Sequence, residues 1–122
     1  NLPIEELTSL VEKTLRKGHT AVWEGDCSEP GFLFKDGIAI LMNNKPVNQL
    51  ERQKEFERLE TSDNHAMHII GIAHDQNGKE FFMMKNSWGT ANPYHGLVYM
   101  SIDYFKMKTV AVFMPSAVIT EK

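Results

Sequence analysis

Asn64-His65-Ala66-Met67-His68-Ile69-Ile70-Gly71-Ile72-Ala73-His74, then Lys79-Glu80-Phe81-Phe82-Met83-Met84-Lys85, then Asn86-Ser87-Trp88-Gly89: these three stretches decide how the chain is read. The first two are apolar and rich in strand-favouring residues, and both are of strand length. Between them, Asp75-Gln76-Asn77-Gly78 contains Asn-Gly, a strong signal for a tight hairpin. A hairpin returns the end of its second strand to the level where the first began, so His65 and Asn86 are expected side by side at one sheet edge. An asparagine carbonyl there can accept from an imidazole N–H and fix the ring's tautomer and plane. Trp88 can cover that hydrogen bond and keep water from it, which strengthens it. Tryptophan before a glycine turn is also an ordinary hydrophobic plug, and the two roles are compatible.

Working outward, residues 2–17 read as a capped amphipathic helix. Pro3 suits a first-turn position, Glu5 and Glu6 favour the N-terminal end of the dipole, and Arg16 and Lys17 favour the other. Ile4, Leu7, Leu10, Val11, Thr14 and Leu15 recur at spacings of three and four and form the inner stripe, with Gly18 as the stop. Ala21-Val22-Trp23-Glu24 is a short buried strand, and 26–31 is a turn. The apolar residues of 32–46, broken by Gly37 and Pro46, suggest irregular extended structure. A second helix is expected over 48–60, with Leu50, Phe56 and Leu59 inward and Glu51, Arg52, Lys54, Glu55, Glu57 and Arg58 on a solvated face. Strands are expected at 66–74, 79–85, 96–101 and 109–114. Helix first and antiparallel strands afterwards define an α+β fold.

With 122 residues, 42% of them hydrophobic, the chain suffices for one domain or part of one. A net charge of −3 without a dense Lys/Arg cluster supplies no basis for nucleic-acid binding. No apolar run approaches the roughly 20 residues that span a bilayer, so no membrane partner is expected. The single cysteine, Cys27, rules out an internal disulfide framework.

A histidine at a strand start is more often solvated or structural than catalytic; the neighbouring Asn-Ser-Trp-Gly is what singles out His65. His65, His68 and His74 form no metal site in this reading, because residues three apart on a strand point to opposite faces. No cofactor is expected. Cys27 is a poor nucleophile candidate: Asp26-Cys27-Ser28-Glu29-Pro30-Gly31 is a turn with two acids near the sulfur, and negative charge raises a thiol pKa.

The order and sequence of the His and Asn segments resemble the papain superfamily of cysteine peptidases, in which a Cys-His-Asn triad activates a thiol. The charged helix running into Thr61-Ser62-Asp63-Asn64-His65-Ala66-Met67 resembles the bleomycin hydrolase and bacterial aminopeptidase C branch. Gly96-Leu97-Val98-Tyr99-Met100-Ser101, Asp103-Tyr104-Phe105 and Trp23 to Asp26 continue that similarity over nearly the whole chain.

The resemblance implies the right-hand domain of a papain-like peptidase: an antiparallel sheet or barrel with an N-terminal helix and a second helix before the active-site histidine. It implies His65 as general base and acid and Asn86 as its orienter, with Asn64, Ala66 and Trp88 lining the substrate cleft. In papain-type enzymes the nucleophile precedes the histidine by roughly 130–150 residues, whereas 64 residues precede His65 here. Residues 1–122 are accordingly expected to be the His/Asn-bearing part of a longer peptidase, inactive without its Cys-bearing half. The expected partners are a peptide substrate, that N-terminal half and further copies of the protein, since the branch commonly forms hexamers. Its members commonly confine cleavage to free N-termini through a C-terminal arm, for which only 115–122 remain here, and the resemblance suggests a cytoplasmic enzyme, with secreted and periplasmic locations left open. The alternative class is a non-catalytic papain-like module that binds peptides or partners.

Overall fold

The computed structural model describes residues 2–42, 47–58 and 60–115. Helix α1, Ile4–Arg16, forms where the apolar stripe predicts it, with Glu5 and Glu6 in its first turn and Lys13 and Arg16 in its last. Ile4 and Val11 face the core. Thr8 and Thr14 are buried with them because each hydroxyl donates to a carbonyl one turn back, Ile4 O at 2.7 Å and Leu10 O at 2.8 Å.

Among the described residues, seven strands make one mixed sheet in the order β2-β3-β6-β5-β4-β1-β7. They are β1 Ala21–Gly25, β2 Phe32–Leu33, β3 Ile38–Ala39, β4 His65–His74, β5 Glu80–Lys85, β6 Leu97–Ser101 and β7 Thr109–Phe113. The β4–β5 hairpin turns where Asn-Gly predicts it. Gly78 takes φ +81°, and the Asp75 carboxylate accepts from the Asn77 and Lys79 N–H groups, both at 2.9 Å.

Two features of the sheet differ from the expectation. The stretch 32–46, read as irregular, contributes β2 and β3 on either side of a 3₁₀ turn at Phe34–Asp36. β3 then pairs parallel with β6, so the sheet is not wholly antiparallel. Two-residue strands show no periodicity in sequence, and they exist because β6 supplies a template edge. Pro46 lies outside the described residues.

Helix α2, Gln49–Glu57, begins where Asn48 Oδ1 accepts from the Glu51 N–H at 2.8 Å. Its inner face is not the one expected: Leu50 is exposed, whereas Glu55 is buried. The helix is held by polar ties rather than by an apolar stripe. Gln49 Oε1 accepts from the Ile4 N–H at 2.8 Å, Arg52 Nη1 donates to Lys106 O at 2.9 Å, and Glu55 pairs with Lys108. Leu59 lies outside the described residues.

Residues 102–108, to which the sequence assigns no element, form α3, Ile102–Lys108, capped by Ser101 Oγ, which accepts from the Tyr104 N–H at 3.1 Å. Tyr104 and Phe105 on α3 pack with Ile4 and Val11 of α1 against Trp23, Met67, Ile69, Phe82, Met84, Val98 and Met100 from the sheet. Trp23 is fully buried, and its indole N–H is satisfied by Thr109 Oγ1 at 2.8 Å. Truncation of such a side chain to alanine costs roughly 3–5 kcal/mol.

Candidate active site

β4 and β5 are antiparallel, pairing from His68 opposite Lys85 to His74 opposite Glu80 with a one-residue register shift between Ile69 and Gly71. The first residue of β4 and the residue after β5 therefore meet at one end of the hairpin. There His65 Nε2 lies 2.7 Å from Asn86 Oδ1. The same oxygen accepts the Ser87 N–H at 2.7 Å, and since an amide NH₂ cannot accept, this contact fixes which way the Asn86 amide faces. Oδ1 only accepts, so Nε2 must carry the ring proton. In neutral His65 the lone pair is therefore on Nδ1, the tautomer a general base needs.

Trp88 stacks obliquely on this pair, its ring centroid 4.7 Å from that of His65 at 39°. It is held edge to face by Phe32 at 5.7 Å and Phe34 at 5.4 Å, so β2 and the 3₁₀ turn buttress the indole. Even so, Trp88 remains 48% exposed. Asn86 is buried, and its Nδ2 has no hydrogen-bond partner among the described residues.

Across the sheet His65 is opposite Gly25. A Cβ at Gly25 would meet Lys108 O at 2.3 Å and the Trp23 ring at 2.3 Å, so the close packing of the end of β1 against Lys108 and Trp23 depends on a missing side chain. Ala66 is exposed and lines a pocket of about 360 Å³ with Val22, Met67, His68, Lys85, Asn86 and Ser87.

The Asn64 amide is engaged with the 26–28 turn. Its Oδ1 accepts the Cys27 N–H at 2.9 Å, and its Nδ2 donates to Asp26 Oδ1 at 3.0 Å. His65, Asn86, Trp88 and Ala66 thus cluster at one end of the sheet, while Asn64 ties that end to the preceding turn. The Cys27 thiol is pushed up to about 12, by burial first and the Asp26 charge second.

The sequence reading missed Asp26. It is 1% exposed, and burial alone would raise its carboxyl pKa. Hydrogen bonds from the Ser28 hydroxyl and N–H, the Ser62 N–H and the Asn64 amide outweigh that effect and hold the carboxyl below its ordinary value. An acid followed two residues on by serine signals an Asx turn, a cue present at Asp26-Cys27-Ser28.

The whole chain, residues 1–122, matches the model of the Peptidase C1-like family, and the protein belongs to that family. Its fold is shared with solved cysteine peptidase structures. PepW from Lactobacillus rhamnosis HN001 superposes with a TM-score of 0.72 at 20% identity, over 98% of this chain and 29% of PepW. The bromelain protease of Ananas comosus, solved with the E64 inhibitor, superposes with a TM-score of 0.52 at 18% identity, over 92% of this chain and 45% of bromelain. The chain thus spans less than half the length of either protein. No curated protein matches it. The fold is α+β and papain-like, three helices with a mixed seven-stranded sheet.

Proposed function

We propose that this chain supplies the general base His65 and the orienting residue Asn86 of a thiol-dependent peptidase of aminopeptidase type, whose nucleophilic cysteine comes from the Cys-bearing half of the same enzyme. The observation that carries the reading is the 2.7 Å contact between His65 Nε2 and Asn86 Oδ1, which leaves Nδ1 as the basic nitrogen. In the proposed cycle Nδ1 takes the thiol proton as sulfur attacks the scissile carbonyl carbon. The resulting imidazolium, steadied by Asn86, returns that proton to the departing amine as the C–N bond breaks. Nδ1 next removes a proton from water, whose oxygen attacks the thioester, and the proton goes back to the sulfur as the acid product leaves.

Cys27 is unsuited to be the nucleophile, since a thiol pushed up to about 12 carries little thiolate at neutral pH. The finer assignment to an aminopeptidase is supported by the resemblance of residues 50–67 to the bleomycin hydrolase branch. A peptide substrate and assembly into oligomers belong to the same proposal. The test is hydrolysis of amino-acid fluorogenic amides by the intact protein, with N-terminally blocked peptides alongside. Release from unblocked substrates only, abolished by thiol alkylation and by His65→Ala, is the expected result. Turnover unaffected by either treatment overturns the reading, and absence of turnover on any of these substrates leaves a non-catalytic peptide-binding module.

A further inference from the structure

The segment that delivers the base to the sheet edge, residues 61–64, has no helix or strand of its own. Its position is set by a clasp with 25–28. Asp26 Oδ2 accepts the Ser62 N–H at 2.9 Å, and Asp26 Oδ1 accepts Asn64 Nδ2 at 3.0 Å. Asn64 answers with Oδ1 on the Cys27 N–H at 2.9 Å, and its own N–H donates to Gly25 O at 3.1 Å.

The turn is itself fixed from behind. The Asp26 N–H donates to Lys108 O at 3.0 Å, and the Tyr104 hydroxyl donates to Asp26 O at 2.7 Å. Every heteroatom of Asp26 is therefore engaged, and its buried carboxylate is shared by both sides of the clasp. Its hydrogen bonds are charge-assisted, the stronger kind.

We infer that Asp26 is a positioning residue for the proposed reaction, acting through Ser62 and Asn64 to hold His65 where its Nε2 reaches Asn86. The inference rests on the assignment of His65 as base. Productive geometry must be held within about 0.5 Å, and Asp26 anchors the half of the approach nearest His65, at Ser62 and Asn64. A misplacement of 1 Å costs on the order of a hundredfold in rate.

The experiment uses the intact protein, with Asp26→Asn and Asn64→Ala compared by two readouts, the NMR signal of the His65 Nε2–H and the kinetics on amino-acid amides. Asp26→Asn keeps the size but replaces an acceptor oxygen with a donor. The expected result is a shifted, exchange-broadened His65 signal and kcat reduced roughly ten- to hundredfold with KM within about twofold, since the ring rather than the substrate has moved. Asn64→Ala gives the same pattern from the other side of the clasp and carries the test if Asp26→Asn does not accumulate folded. A lowered melting temperature with the His65 signal and kcat per folded molecule unchanged overturns the inference. Full turnover by His65→Ala overturns instead the reading beneath it, and the two failures are thus distinct.

Discussion

Lys108 and Glu55 form an ion pair sealed inside the molecule, 2% and 3% exposed, tying α3 to α2. The ammonium also donates to Glu60 O and Thr61 Oγ1, each at 3.2 Å, and lies 3.7 Å from Glu29 Oε2. One buried cation therefore gathers α2, α3, the 26–31 turn and the segment leading to His65.

Breaking that pair from one side strands a buried charge. Lys108→Met should destabilise the protein by roughly 3–5 kcal/mol, whereas Lys108→Met with Glu55→Leu should recover most of the loss, because no unpaired ion remains. Urea unfolding of the two variants measures this. Equal loss in both shows that the ammonium's other partners, not Glu55, carry its contribution.

Glu12 on α1 and Glu80 on β5 lie beside Arg16, which is 4.0 Å from Glu12 and 3.8 Å from Glu80, with His74 3.5 Å from Glu80. The hydrogen bond to Glu80, then burial, then the Glu80 charge push the Glu12 carboxyl from 4.5 to about 7, against the pull of Arg16 and Lys106. The folded protein thus binds more protons than the unfolded chain between those values, so stability falls as pH rises from about 4.5 to 7 and levels off above. Glu12→Gln retains a hydrogen-bonding amide without the titration. Thermal melts across that range should slope for the natural protein and flatten for the variant at this contribution; parallel curves would count against a raised Glu12 carboxyl.

His65 exchanges protons in the proposed cycle, and Asn86 only steadies the ring. In the intact protein His65→Ala should lower kcat by roughly a millionfold, and Asn86→Ala by one to two orders of magnitude less. Steady-state kinetics on amino-acid amides ranks them, and equal mild losses would remove His65 from the role of base.

Cys27 should be slow toward thiol reagents. Labelling by an aromatic disulfide should still be accelerating at pH 9, because the thiolate population rises toward about 12. Cys27→Ser should leave peptidase turnover within about twofold, as expected of a residue outside the reacting atoms. Rapid labelling at pH 7 with loss of turnover in the serine variant would make Cys27 the nucleophile after all.

Local pattern was enough for the elements whose cause is local. The α1 stripe, the Asn-Gly hairpin and the long apolar strands β4 and β5 follow from periodicity and turn chemistry within a few residues of each site. The hairpin in turn placed His65 beside Asn86, since antiparallel pairing makes position along one strand a function of position along the other. Tertiary structure decided what depends on distant partners. Glu55 is inside and Leu50 outside because Lys108, 53 residues on, offers Glu55 a buried countercharge. β3 is a strand because β6 lends it an edge, and Asp26 is engaged at all its heteroatoms because Ser62, Asn64, Tyr104 and Lys108 converge on it. A sequence shows which groups can donate, accept or carry charge, and only the folded chain determines which of them meet out of water.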